Sequence, residues 1–174
     1  TIAQAIAWPI PDNAFAVDES ISTGRGFFPL TAKAKPHDWL QNMGGSIGFS
    51  PPVSTGAAVA CPDRRVICMV GDGSAMYTLQ ALWTQARESL NVTTIVFANR
   101  TYQILRGEFA GVGAGEPGAR ARDMLDIDRP TLDWVALAKG LGVPARSVTT
   151  ADAFNEALAS ANATEGPGLI EVVM

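Results

Sequence analysis

The strongest hydrophobic pattern of the chain lies between Arg65 and Tyr102. Val66–Val70 is an unbroken apolar run, which is typical of a parallel strand buried on both faces. The apolar residues that follow recur at helical spacing and predict a helix: Met76, Leu79, Leu82, Trp83 and Ala86. A second β-rich run, Thr93–Ala98, completes a strand–helix–strand unit. Because such a unit closes as a right-handed parallel crossover, we expect the carboxyl ends of both strands at one edge of a sheet.

The remaining patterns are shorter, and they alternate between helix and strand. The predicted helices are residues 1–8, Val53–Ala60, Gln103–Phe109, Thr131–Leu141 with Thr131 as its cap, and Ala151–Ala161. The predicted strands are Ala14–Val17, Pro144–Val148 and Leu169–Met174. Gly24–Pro36 and Gly111–Arg122 lack periodicity, and we expect the second segment to be either functional or disordered. The alternation predicts an α/β fold with a mainly parallel sheet.

The composition describes a globular protein. The 174 residues are 47% hydrophobic and 17% charged, which suits one domain with a sizeable core. The net charge of −4 argues against a nucleic-acid partner, which requires a basic face. No apolar run approaches the roughly 20 residues that cross a membrane. Because the sequence does not begin with Met, we expect a single domain excised from a longer protein. The two cysteines, Cys61 and Cys68, lack the spacing of metal ligands and fit a reducing cytoplasm.

Two polar turns follow the strands of the central unit. Gly71–Ser74, with the sequence GDGS, comes after the first strand, and Asn99–Tyr102 comes after the second. The glycines allow the backbone to turn tightly and to approach a ligand closely. Oxygens of Asp72 and Asn99 beside a helix N-terminus would suit Mg2+ that already holds a phosphorylated ligand. The alternative is a nucleotide-type βαβ unit without a metal, because short glycine motifs are weak evidence.

The stretch from Gly71 to Tyr102, GDGSAMYTLQALWTQARESLNVTTIVFANRTY, resembles the thiamin diphosphate motif, which begins with GDG and ends with an Asn pair. The chain resembles, almost from end to end, the C-terminal diphosphate-binding domain of the acetolactate synthase and benzoylformate decarboxylase family. This resemblance implies a three-layer doubly wound sheet, mainly parallel, with helices on both faces. It also implies thiamin diphosphate and Mg2+ as cofactors.

The resemblance assigns individual residues to these cofactors. The Mg2+ ligands that it implies are Asp72, Asn99 and the main-chain oxygen of Thr101. The other implied contacts around the diphosphate are Ser22, Gly71, Gly73, Ser74 and Tyr102. In the family a glycine carbonyl accepts from the aminopyrimidine and a bulky apolar residue bends the cofactor, and these positions correspond to Gly45 and Ile47.

Three residues depart from the family pattern, one of which is Gln103, where the relatives have a small residue. Ala98 replaces the first Asn of the pair, and Ile21 replaces a hydroxyl residue of benzoylformate decarboxylase. Since the second Asn is the metal ligand in the family, we expect Mg2+ binding to persist.

The resemblance implies that the whole protein is a 2-oxo acid decarboxylase or an acetolactate synthase-type carboligase. In the family the activating Glu belongs to a pyrimidine-binding domain of the same or a neighbouring subunit, in a homodimer or tetramer. Nothing in this chain matches that domain, so the catalytic residues stay unknown: we expect the activating Glu in the absent pyrimidine-binding domain, and we expect the isolated domain to be inactive. The alternative is a non-catalytic module used for assembly or regulation. An NAD-binding Rossmann domain is disfavoured because no GxGxxG follows the first strand.

Overall fold

The computed structural model describes residues 10–174, so the helix predicted at residues 1–8 lies outside the described residues. The described part contains one six-stranded sheet. Its strands are β1 (Ala14–Glu19), β2 (His37–Gln41), β3 (Val66–Gly71), β4 (Val92–Ala98), β5 (Ala145–Val148) and β6 (Gly168–Val173). The strand order is β2-β1-β3-β4-β6-β5, and every neighbouring pair is parallel.

Helices fill most of the connections between the strands. In chain order they are α1 (Ile21–Gly24), α2 (Phe27–Leu30), α3 (Ser50–Ala60), α4 (Asp72–Ala75), α5 (Ala81–Arg87), α6 (Gln103–Gly111), α7 (Ala119–Leu125), α8 (Trp134–Gly140) and α9 (Ala151–Asn162). Within residues 10–174, no helix combines the length and the apolar character that crossing a bilayer requires.

The side chains of each strand alternate between two covered faces of the sheet. On β3, Ile67 and Met69 belong to a cluster with residues of α9 and with Phe27 of α2. Cys68 and Val70, the alternate residues, pack on the opposite face against α3, α5 and α8. Helices therefore cover both faces, and the predicted three-layer doubly wound fold is confirmed.

The strand order determines where a ligand can approach the sheet. β1 lies between β2 and β3, so the direction of winding changes between β1 and β3. In an open parallel sheet, ligands bind outside the carboxyl ends of the strands at such a switch point. The residues at this edge are Glu19 at the end of β1, Gly71 at the end of β3 and Ala98 at the end of β4.

The single helix predicted after the GDG turn is wrong, because two short helices, α4 and α5, are joined there by turns. The Tyr77 and Thr78 amides donate three residues back, to the Ser74 and Ala75 carbonyls, instead of four. The Thr78 hydroxyl donates to the Gly48 carbonyl at 2.8 Å, so a distant loop packs on these turns. As a result Leu82 is buried, whereas Met76 and Trp83 of the predicted apolar stripe are exposed.

The predicted start of the helix at Thr131 is also wrong. α8 begins at Trp134, and the Asp133 carboxylate accepts a bond from the Ala136 amide at 2.8 Å. The Thr131 hydroxyl instead donates to the Asp128 carbonyl at 3.1 Å. Asp133 therefore provides the N-cap that the sequence analysis had placed two residues earlier.

Both segments predicted to be irregular contain short helices. Gly24–Pro36 includes α2 and a 3-10 turn, Thr31–Lys33, and α7 begins inside Gly111–Arg122. These helices are too short for a hydrophobic period to reveal them. The edge strand β2 was not predicted either, because none of its residues is fully buried and the strand contains polar residues.

Candidate functional site

A small cleft of about 60 Å³ opens at the carboxyl edge of the sheet, where β1, β3 and β4 end. Its lining comes from the segments after these strands and from the start of α6: residues 19–23, 71–74, 99 and 101–104. Eight of the ten residues that the resemblance assigns to the cofactor lie here: Ser22, Gly71, Asp72, Gly73, Ser74, Asn99, Thr101 and Tyr102. Gly45 and Ile47 do not line the cleft.

Asp72 joins the two polar turns. It is the first residue of α4 and is only 3% exposed. Its Oδ1 accepts from the Gly73 amide at 2.9 Å, and its Oδ2 accepts from the Arg100 amide at 2.7 Å. Burial raises the pKa of the Asp72 carboxyl, and these amide bonds partly oppose that rise. Because each carboxylate oxygen has two lone pairs, both can accept a further partner from the cleft.

Arg100, in the turn after β4, has a φ of 57°. This left-handed conformation is costly for a residue other than glycine and persists only where the surroundings hold it. The Arg100 amide donates to Asp72, and its carbonyl accepts from the Ile127 amide at 2.9 Å. Within the same turn, the Asn99 side-chain oxygen accepts from the Thr101 amide at 3.1 Å. The turn is therefore held by Asp72 of α4 on one side and by the segment after α7 on the other.

The main-chain oxygen of Thr101 keeps one acceptor position. It accepts from the Gln103 amide at 2.9 Å across Tyr102, whose φ of −76° and ψ of 70° are those of an inverse γ-turn. Since a carbonyl oxygen has two lone pairs, one remains for a cation or a donor.

The Thr101 side chain anchors this turn to the neighbouring helices. Its hydroxyl donates to the Leu125 carbonyl at 3.0 Å and accepts from Nε of Arg106 at 2.8 Å. Arg106 also pairs with Asp126, directly after α7. The segment after α7 therefore supports the turn that contains the predicted metal ligands.

Gly73 and Tyr102 bring the two turns into direct contact. A Cβ at Gly73 would lie 2.7 Å from one carbon of the Tyr102 ring and 3.0 Å from the next. Only a residue without a side chain fits beneath this ring, so the glycine that follows Asp72 is required by close packing.

The third side of the cleft comes from the residues after β1. Ile21, whose φ is 43°, is a β-branched residue in the left-handed region, and it is 42% exposed. Ser22 follows it in α1 and lines the cleft. Ala98, the departure in the Asn pair, is buried in the core, and its carbonyl accepts from the Met174 amide at 3.1 Å. The structure thus gives Ala98 a packing role in the sheet.

Gly45 and Ile47 lie in the loop between β2 and α3 and are not part of the cleft lining. Gly45 has a φ of 71°, and the Ile47 side chain is 57% exposed. Asn42 closes this loop, because its side chain accepts from the Ser46 amide at 3.0 Å and donates to the Ser46 carbonyl at 3.1 Å. Their roles toward the cofactor ring stay predictions.

Glu19 lines the cleft and is 1% exposed. Its residue type and position in the sequence are compatible with a functional acid and equally with a solvated or helix-capping acid. Its position at the end of a buried strand was the only local signal. Burial raises the pKa of the Glu19 carboxyl, and hydrogen bonds from Ser50, Gly48, Ser74 and Phe49 partly oppose that rise. The single histidine, His37, does not line the cleft and bonds the Lys35 carbonyl through Nδ1 at 2.7 Å.

The donor set of the cleft suits a hard cation that brings further ligands with it. Asp72, Asn99 and Thr101 can offer a carboxylate, an amide oxygen and a main-chain oxygen. Among residues 10–174 there is no group of three or more His, Cys, Asp or Glu side chains that could hold a metal ion. A cation here would take its other ligands from phosphate oxygens and water, as Mg2+ characteristically does. The residues present therefore fit Mg2+ together with a diphosphate.

Comparison with known proteins agrees with this geometry. The family model "Thiamine pyrophosphate enzyme, C-terminal TPP binding domain" matches residues 25–172. The chain is 52% identical over 173 residues to the provisionally named acetolactate synthase large subunit IlvX of Mycobacterium tuberculosis, covering 99% of this chain and 34% of that protein. It is 37% identical over 172 residues to benzoylformate decarboxylase of Pseudomonas aeruginosa, covering 99% of this chain and 31% of that protein.

Solved structures show the same similarity. The thiamine diphosphate-dependent 4-hydroxybenzoylformate decarboxylase of Rhodococcus jostii RHA1 matches with a TM-score of 0.84 and 37% identity, over 99% of this chain and 31% of that chain. A benzoylformate decarboxylase of Polynucleobacter necessarius matches with a TM-score of 0.75 and 27% identity, over 99% of this chain and 32% of that chain. The present chain therefore spans about a third of the length of the proteins that it matches.

Proposed function

This chain belongs to the thiamine pyrophosphate enzyme family, as its C-terminal TPP-binding domain, and we propose that it holds thiamin diphosphate with Mg2+ in the cleft at the ends of β1, β3 and β4. One observation carries the proposal. The buried Asp72 carboxylate accepts the Arg100 amide at 2.7 Å, which ties the GDG turn to the turn that contains Asn99 and Thr101. Three oxygen ligands are therefore preorganised at one edge of the sheet.

The residues of the cleft divide between the metal and the phosphates. Asp72, Asn99 and the Thr101 carbonyl hold Mg2+, which neutralises part of the negative charge of the diphosphate. The hydroxyls of Ser22 and Ser74 donate to phosphate oxygens. The remaining predicted contacts come from the backbone of Gly71 and Gly73 and from Tyr102.

The loop between β2 and α3 holds the ring half of the cofactor. The Gly45 carbonyl would accept from the aminopyrimidine, and the Ile47 side chain would contact the ring half of the cofactor. The exposure of Ile47, 57%, leaves its side chain available for such a contact. Bound thiamin diphosphate supplies a carbon nucleophile and an electron sink, and this chain supplies binding and orientation.

Residues 1–174 form one domain of a longer enzyme that decarboxylates a 2-oxo acid or joins it to an acceptor. The proposal rests on the short span of this chain relative to its relatives. A pyrimidine-binding domain of the same or a neighbouring subunit would complete the site and contribute the activating Glu, in a homodimer or tetramer.

Cys61 and Cys68 have free thiols, which fits a reducing cytoplasm.

The first test is calorimetric titration of the chain with thiamin diphosphate, in Mg2+ and then in EDTA. We expect binding that requires the metal, and no turnover of 2-oxo acids by this chain alone. Absence of binding by a folded sample would refute the proposal for the isolated chain. The same titration on the full-length protein would then distinguish a site that needs its neighbouring domain from a module that serves assembly or regulation.

The second test removes the metal ligand. Asp72→Ala should abolish metal-dependent binding, because the one carboxylate in the donor set is lost. Asp133→Ala is a matched control, since it removes an aspartate whose carboxylate also accepts a backbone amide but which lies outside the cleft. Thiamin diphosphate bound by Asp72→Ala as tightly as by the parent would disprove the metal assignment.

A further inference from the structure

Glu19 connects the cleft to the loop that precedes α3. Its Oε1 accepts from the Gly48 amide at 2.6 Å, and its Oε2 accepts from the Ser50 amide at 2.8 Å. These partners lie 29 and 31 residues away along the chain. We call this pair of bonds the Glu19 clamp. Hydrogen bonds to a charged acceptor are stronger than those between neutral groups, so the clamp is a firm connection between β1 and the loop.

The residue that the clamp holds is also fixed from a second direction. The carbonyl of Gly48 accepts from the Thr78 hydroxyl at 2.8 Å. The φ of Gly48 is 83°, and a Cβ there would lie 2.8 Å from Cβ of Tyr77. Gly48 therefore lies between the Glu19 carboxylate and the turns that connect α4 to α5, with no room for a side chain.

Ser50 anchors the other half of the clamp to the sheet. Its side chain is fully buried, and its hydroxyl lies 3.1 Å from the Met69 carbonyl and 3.3 Å from the Val17 carbonyl. The end of the loop is thus held against β1 and β3. The start of the loop is held at Asn42, whose amide donates to the Asp18 carbonyl of β1 at 3.2 Å and whose side chain closes the loop on Ser46. The Glu19 clamp therefore fixes the opposite end of the loop.

The same side chain also belongs to the cleft lining itself, which it shares with Ser74. Ser74 is a proposed phosphate contact, and the clamped loop contains Gly45 and Ile47, the proposed contacts of the ring half. One buried side chain at the diphosphate cleft therefore holds the loop that contains the proposed contacts of the ring half.

We propose that Glu19 is a positioning residue that fixes the loop of residues 42–49 against the diphosphate cleft, so that the two halves of thiamin diphosphate meet preorganised contacts. The inference rests on the proposed function and extends it. Without the clamp, the loop would populate other positions. The apparent affinity for thiamin diphosphate would then be reduced in proportion to the fraction of molecules whose loop keeps the binding-competent position. The loss would affect contacts to the ring half and spare those to the diphosphate.

The test compares two ligands on the 174-residue chain. Glu19→Gln keeps the size of the side chain but replaces one acceptor oxygen with a donor, which cannot pair with the Gly48 or Ser50 amide. In Mg2+, we expect thiamin diphosphate to bind about 10-fold or more weakly, from the loss of one charge-assisted acceptor to a buried amide. The affinity of Glu19→Gln for inorganic pyrophosphate should stay within about threefold of the parent's affinity. A change of about threefold corresponds to less free energy than the loss of one such hydrogen bond. Glu171→Gln, at the other buried glutamate of the described residues, should change neither affinity.

Amide hydrogen exchange by NMR reads the clamp without any cofactor. The Gly48 and Ser50 amides should exchange faster in Glu19→Gln than in the parent, with core strand amides unchanged. Unchanged exchange at both amides, unchanged affinity for thiamin diphosphate, or an equal loss for both ligands would overturn the proposal. If the parent binds neither ligand, the proposed function fails, and the proposed role of Glu19 in cofactor binding fails with it. Hydrogen exchange at the Gly48 and Ser50 amides then still shows whether the Glu19 clamp exists.

A second variant keeps the inference testable if Glu19→Gln does not fold. Thr78→Val removes the hydroxyl that holds the Gly48 carbonyl and leaves the Glu19 carboxylate in place. Its effect should have the same pattern and a smaller size, with thiamin diphosphate weakened about threefold and pyrophosphate unchanged. Equal affinities for thiamin diphosphate in Thr78→Val and the parent would overturn the role of the held loop.

Discussion

Replacing each glycine of the GDG turn by alanine should have opposite effects on stability. Gly71 has a φ of −73° and a ψ of 151°, which alanine adopts freely, and a Cβ there would meet no atom within 4 Å. A Cβ at Gly73 would lie 2.7 Å from the Tyr102 ring. The two positions flank Asp72 in the same turn, so each variant is a control for the other.

The structure sets the expected magnitudes. Gly71→Ala should raise the free energy of unfolding by about 0.4–1 kcal/mol, because alanine restricts the unfolded chain. Gly73→Ala has a similar backbone gain, of about 1 kcal/mol in a helix, but it forces the Tyr102 ring to move. Overpacking of this kind costs about 1–3 kcal/mol. We therefore expect Gly73→Ala to be less stable than Gly71→Ala by about 1–3 kcal/mol, which is the cost of overpacking alone.

Urea denaturation followed by circular dichroism measures this difference directly. Thermal unfolding provides a second measure, since 1 kcal/mol shifts Tm by about 2–4 °C in a protein of this size. If Gly73→Ala proves as stable as Gly71→Ala, the Tyr102 ring does not lie over Gly73, and the close contact between the two turns is refuted. The double variant Gly73→Ala/Tyr102→Ala should recover most of the loss, because it removes the ring.

Three further predictions concern the support of the site and the sheet. Asp133→Ala should lower the free energy of unfolding by about 1 kcal/mol, because the N-cap of α8 is lost. Thr131→Ala should lower it by less. If urea titrations give the reverse order, the assignment of Asp133 as the cap is contradicted. Burial raises the pKa of Asp18 above its ordinary 3.8, so the native state binds this proton more tightly than the unfolded state. The stability due to this group is therefore present below pH 3.8 and is lost as pH rises through the raised pKa of the native state. Relative to Asp18→Asn, the parent should therefore gain stability as pH is lowered from 7 toward 4, and a difference that does not change with pH would exclude this. Arg106→Ala and Asp126→Ala should show a coupling energy of about 0.5–1 kcal/mol in a double-mutant cycle, and additive effects would mean that the pair does not anchor the turn after β4.

The cleft was only partly accessible to sequence reasoning. Asp72 and Asn99 could be placed at one edge because both follow strands of a single crossover unit, and the family resemblance then named their neighbours. The clamp could not be found in this way, because Glu19 binds amides about 30 residues away and those amides belong to an irregular loop. The contact between Gly73 and Tyr102 likewise depends on how two turns approach each other in space.

The sequence by itself determined the central strands and the fold class. Val66–Val70 and Thr93–Ala98 are recognisable because a strand covered on both faces must be apolar at almost every position, and that requirement is local. The alternation of strands and helices then leaves a parallel sheet with helices on both faces as the natural arrangement.

Only the tertiary structure decided the strand order, the edge strand β2 and the interruption between α4 and α5. β2 has a mixed pattern because it is half exposed, so its pairing with β1, and not its own residues, makes it a strand. The apolar period from Met76 to Ala86 favours one continuous helix, but the contact between Thr78 and Gly48 replaces it with turns. The spacing of apolar residues in the sequence indicates which side chains are buried. Hydrogen bonds between distant segments determine which elements bury them and where a helix must end.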